Sequence, residues 1–132
     1  MKKFLVALFA LGLIVSIPKV SIADRPTDFY TTVTKTDSQT TQQTATTLWT
    51  PASGFSIVLQ GVTISTDTLQ NVKVQTGTTN VIPPQYMLAS TSVTISGGNT
   101  PIWQGAANGT LTYTSSASGK VSIVAWGYEE II

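Results

Sequence analysis

The chain has 132 residues, seven Lys plus Arg against six Asp plus Glu, and a formal net charge of +1. It contains no His and no Cys, which excludes His- or Cys-based nucleophilic catalysis, the softer transition-metal sites and any disulfide cross-link. No run of basic residues exists to follow a phosphate backbone, so nucleic acid is not an expected partner.

Taken in chain order, residues 1–23 read as a secretory signal peptide. Lys2-Lys3 precedes an apolar run from Phe4 to Ile17, and Pro18 and the small-residue site Ser21-Ile22-Ala23 follow. The run is shorter than the roughly 20 residues a spanning helix needs, so no stable membrane span is expected after cleavage. Cleavage before Asp24 removes Lys2, Lys3 and Lys19. Four basic residues then stand against six acidic ones, and the remaining chain carries −2. The predicted location is therefore secreted or extracellular, at the cell surface.

Residues 24–43 read as an extended, Thr/Gln-rich N-terminal arm. Phe29 to Lys35 is strand-competent, with Phe29, Thr31 and Val33 in one phase. Asp37 to Gln43 is almost wholly polar and reads as a loop or linker. An arm of this kind can add a strand to the open sheet edge of a neighbouring subunit.

Residues 44–132 read as one β domain. Thr44 to Thr50 forms its first strand, ended by Pro51-Ala52-Ser53-Gly54. Phe55, Ile57 and Leu59 alternate in one phase and Val62 and Ile64 in the other, with Gly61 at the change, which predicts a bulge. Val72 and Val74 mark the next strand. Val81 to Ala89 contains Pro83-Pro84, which confines it to an edge or an entry bend. Val93 with Ile95, then Pro101 to Gln104, then Leu111 with Tyr113 mark three more. Asn108-Gly109 predicts a type I′ hairpin turn, and Asn108-Gly109-Thr110 is also an N-glycosylation sequon. The last strand runs from Lys120 to Glu130. About eight short strands without helical periodicity predict an all-β, antiparallel β-sandwich of jelly-roll type.

That last strand is apolar on both faces. Val121, Ile123 and Ala125 line one face; Val124, Trp126 and Tyr128 line the other, which needs a cover. Phe29, Thr31, Val33, Val124, Trp126 and Tyr128 are accordingly the candidate subunit-interface residues, and copies of the same chain are the candidate partners. Surface glycans are the other candidate partner, because Trp49, Trp103, Trp126, Tyr86, Tyr113 and Tyr128 supply rings for stacking. Core filling explains Trp49 and Trp103 better.

No catalytic, cofactor or metal site is expected. The adjacent carboxylates Glu129 and Glu130 point to opposite faces of a strand and cannot flank one bond. Asp28, Asp37 and Asp67 are too dispersed for a calcium loop.

Three segments carry a resemblance: Leu48 to Leu59, Pro101-Ile102-Trp103-Gln104, and Val121 to Glu129. Together they resemble small β-sandwich modules of phage structural proteins and of bacterial or archaeal surface-appendage proteins. The resemblance covers residues 44–130 and implies a fold and a setting, with no catalytic residue. The leader, the low charge, the polar Thr-rich arm and the doubly apolar last strand together lead to the expectation of a secreted, non-catalytic structural subunit that self-assembles on the cell surface, as a filament or pilus-like subunit joined by N-terminal strand addition. The alternatives are a monomeric carbohydrate-binding or adhesive module and a phage-derived virion protein.

Overall fold

The computed structural model describes residues 31–132. The leader and Phe29 lie outside the described residues. Nine strands, and no helix among the described residues, form two antiparallel sheets packed as a β-sandwich. They are β1 (Val33–Gln39), β2 (Thr46–Trp49), β3 (Phe55–Thr66), β4 (Gln70–Thr76), β5 (Thr79–Met87), β6 (Thr91–Ser96), β7 (Trp103–Gln104), β8 (Leu111–Ser115) and β9 (Val121–Ile131). One sheet has the order β1-β9-β3-β6, with β7 beside β6 on β3; the other has the order β2-β8-β4-β5.

The core follows from period-2 alternation. Val121, Ile123 and Ala125 of β9, Val72 and Val74 of β4, and Leu111 and Tyr113 of β8 point into the space between the sheets and are fully buried. Trp49 fills the space at one end, with 1% of its surface exposed. Trp103 is partly buried and packs against the same cluster. Each fully buried large aliphatic side chain contributes about 1.5–3 kcal/mol.

The bulge in β3 lies where the phase change places it. Leu59 pairs with Gly127 and Gly61 with Trp126, so Gln60 is the extra residue. This lets Ile57 and Leu59 before the bulge, and Val62 and Ile64 after it, all face the core. β5 is an edge strand, and its register on β4 shifts at Pro83-Pro84, between the pairs Val72–Gln85 and Val74–Ile82. A missing N–H is tolerated there because the outer side of an edge strand has no ladder to feed.

Two expectations differ from the structure. Asp37 to Gln39 is strand, not linker: it extends β1, which pairs with β9 from Val33–Gly127 through Gln39–Val121. The polarity that argued for a loop belongs to a strand at the sandwich rim, where Asp37 and Gln39 find hydrogen bonds. The Asn108-Gly109 turn is not a type I′ hairpin. β7 and β8 lie in different sheets, and positive φ occurs at Asn108 (62°) but not at Gly109. The turn runs from Ala106 to Gly109, whose N–H donates to the Ala106 carbonyl at 3.0 Å. Asn108 is held there by tertiary contacts: its N–H donates to the Phe55 carbonyl and its Oδ1 accepts the Gly54 N–H, both at 2.8 Å.

Candidate functional site

The face of interest is the outer side of the sheet containing β9. β9 lies between β1 and β3, and register places side chains in rows across the three strands. Thr36, Val124 and Thr63 form one row, and Thr34, Trp126 and Gly61 the next. β6 continues the rows, with Thr94 beside Thr63 and Ser92 beside Ser65. The hydroxyls of Thr63 and Thr94 lie 2.8 Å apart, and Ser65 Oγ donates to Ser92 Oγ at 3.0 Å. Cross-strand hydroxyl pairs of this kind satisfy one another and keep the surface polar without charge. Val124, Trp126 and Tyr128 form an apolar line through this hydroxyl field, and each is half-buried.

Trp126 owes its position to Gly61. A Cβ at residue 61 would collide with the indole, so the ring lies over bare backbone. The bulge therefore both corrects the core phase of β3 and places a glycine under the ring.

The six predicted interface residues do not form one patch. Val124, Trp126 and Tyr128 share the outer face. Val33 pairs with Gly127, faces inward and packs against the core of its own chain. Thr31 is exposed just before β1. The residues that join Trp126 on the outer face are instead Thr34 and Thr36, in the opposite phase of the same arm.

Behind this face, a polar clasp holds the rim of the sandwich together. Tyr113 of β8 donates its hydroxyl to Asp37 Oδ2 at 2.7 Å, joining β1 to the other sheet. Burial, and then the hydrogen bond and charge of Asp37, push the Tyr113 hydroxyl far above the ordinary tyrosine range. On β9, Glu129 accepts the Trp49 indole N–H at 2.8 Å and the Ala52 N–H at 2.9 Å. Burial alone would raise the Glu129 carboxyl; those two donors and the nearby Lys35 charge outweigh it and hold the carboxyl below its ordinary value. Glu130, on the opposite face, accepts from Gln104 Nε2 at 3.3 Å. The two carboxylates thus diverge, as strand alternation requires.

Asn108 is exposed, with its Oδ1 engaged by Gly54. Among the described residues, no group of three or more His, Cys, Asp or Glu side chains is placed to hold a metal ion, and no helix is long and apolar enough to cross a membrane.

No protein-family model matches the chain, and no characterised protein matches it in sequence.

Sequence reasoning missed the clasp and the hydroxyl rows. The rows had a signal in the alternate hydroxyl residues Thr34 and Thr36, Thr63 and Ser65, and Ser92 and Thr94. The clasp had none, since Asp37–Tyr113 and Trp49–Glu129 are separated by 76 and 80 residues.

Proposed function

We propose that this protein is a secreted, non-catalytic structural subunit of jelly-roll topology that assembles with copies of itself at the cell surface through exchange of its N-terminal strand. The strand orders β1-β9-β3-β6 and β2-β8-β4-β5 support the jelly-roll winding: the chain crosses between the sheets at every connection except β4–β5 and β6–β7, and each sheet interleaves early and late strands as two interlocked Greek keys would. The leader pattern of residues 1–23 supports secretion.

One observation carries the assembly reading. β1 closes the edge of β9 with seven paired residues, yet only one of them, Val33, packs against the apolar core. Its other inward residues are Lys35, Asp37 and Gln39. A strand held mainly by its backbone ladder and a polar clasp can be supplied equally well by a neighbour. Exchange of an identical element is a low-cost route to oligomers, and strand addition covers an edge that would otherwise recruit unwanted partners. The part of that face around Trp126, whose register neighbours Thr34 and Gly61 carry no charge, then lies beside the exchanged strand.

The test uses the absence of native cysteine. Thr36 and Val124 are register partners on the outer face, so a Thr36→Cys/Val124→Cys variant forms a disulfide wherever β1 meets β9. In assembled protein, non-reducing electrophoresis is expected to give a ladder of covalent multimers. Cross-linked monomers alone from assembled material would refute strand exchange. Deleting residues 24–43 is expected to abolish assembly, and unchanged assembly would also sink the reading.

A further inference from the structure

The opposite face of the sandwich carries a second feature that does not rest on the assembly reading. A groove of about 380 Å³ lies on the outer side of the sheet containing β4 and β8, within the usual size range of small-ligand clefts. Asn71 and Lys73 project into it from β4, and Thr114, the register partner of Lys73, projects from β8. Gln42 and Pro84 contribute to its walls, and no carboxylate lines it. The Thr114 hydroxyl is committed, donating to Gln75 Oε1 and accepting the Ala45 N–H, both at 3.1 Å, so it shapes the groove. The Asn71 backbone is fixed by donation to Ser116 Oγ at 2.8 Å, and the exposed residue lines the groove.

Directly across the ladder from Asn71 stands Tyr86, on the same face and 67% exposed. Its neighbours on the edge strand do not cover it. An aromatic ring presented to water beside a groove of amide and ammonium groups has a specific chemical complement. The ring face stacks on the C–H face of a pyranose. The Asn71 amide offers a donor and an acceptor to adjacent sugar hydroxyls. The Lys73 ammonium, with no acid in the lining, is matched by a carboxylate.

We infer that this groove binds an acidic saccharide of the uronate class, with Tyr86 as the stacking platform, Asn71 as the hydroxyl reader and Lys73 as the carboxylate partner. The site lies on the sheet that does not contain β1 or β9, and Gln42 of the β1–β2 connection walls one side of it.

Amide chemical shifts measured by NMR during titration with trigalacturonate, and separately with its methyl ester, test this. The expected shifts cluster at residues 71, 73 and 86, and the acid binds about tenfold more tightly than the ester. Lys73→Gln is expected to erase the preference for the acid. Tyr86→Ala is expected to weaken both ligands about fivefold or more. Both substitutions are at surface positions where folding is little affected, and the unperturbed spectrum of the variants checks that. No saturable shift, shifts confined to the Trp126 face, equal affinity for acid and ester, or wild-type binding by both variants would each overturn the inference.

Discussion

The indole of Trp126 lies over Gly61, in the space that a Cβ at residue 61 would need. The pair faces each other across the β3–β9 ladder immediately after the bulge. Glycine here is a demand of space, since any side chain must displace the ring. Gly61→Ala is expected to cost about 1–3 kcal/mol in urea unfolding, the usual range for overpacking. The same substitution in a Trp126→Ala background should cost clearly less. Equal costs in the two backgrounds would mean that the indole is not what the glycine accommodates.

Tyr113 and Asp37 make the contact that ties β1 to the far sheet. Tyr113→Phe keeps the buried ring and removes only the donor. A loss of about 1.5–3 kcal/mol is expected, as for a hydrogen bond to a charged group, together with faster amide exchange in β1. The ionisation of Tyr113 sets a pH dependence. Its folded pKa is raised, so the folded state holds the proton more tightly than the unfolded state. Stability is therefore fully present below the unfolded value of about 10 and falls as pH rises above it. Tyr113→Phe should flatten that alkaline loss, which denaturation curves between neutral and strongly alkaline pH will report.

Glu129 works in the opposite direction. Its folded pKa is depressed, so its contribution is present above the unfolded value of about 4.3 and is lost as pH falls through the folded value. Glu129→Gln is expected to be less stable than the parent at pH 7, because the Trp49 and Ala52 donors lose a charged acceptor. The gap between the two proteins should narrow as the solution is acidified below the ordinary glutamate range. A gap that stays constant with pH would remove the carboxylate's charge from the account.

Gln70 is the weak point of the interior. It is 3% exposed, and its Oε1 is the buried side-chain polar atom without a partner among the described residues. Its Nε2 makes only a long bond, 3.3 Å, to Thr68 Oγ1. Gln70→Met has nearly the same volume and removes the unsatisfied oxygen. A gain of about 1 kcal/mol is expected from chemical denaturation. A destabilised variant would overturn the idea that the unpartnered oxygen is the costly group here.

Much of the fold was legible because burial in a sandwich writes alternation into the chain. The change of phase between Leu59 and Val62 located the bulge, and Pro83-Pro84 narrowed its stretch to an edge strand or an entry bend, since each is a local geometric demand with few inexpensive solutions. Asp37 to Gln39 was misread because polarity at a sheet rim resembles polarity in a linker until a distant tyrosine supplies the partner. Asn108 was misread for a related reason. Its positive φ is local, but the turn it joins is set by Gly54 and Phe55, more than 50 residues away.

The sequence by itself determined the all-β class, the core-facing phase of β3, β4, β8 and β9, and the doubly apolar character of β9, because these depend only on side-chain period and on local turn chemistry. Only the tertiary structure decided that β1 closes the edge of β9, that Val33 and Trp126 occupy opposite faces, and that Asp37 with Tyr113 and Glu129 with Trp49 clasp the rim. Those relationships join strands separated by most of the chain. Alternation fixes which residues of a strand face the core, but which distant strand lies beside it is set by the summed packing of both layers, and no local pattern encodes that.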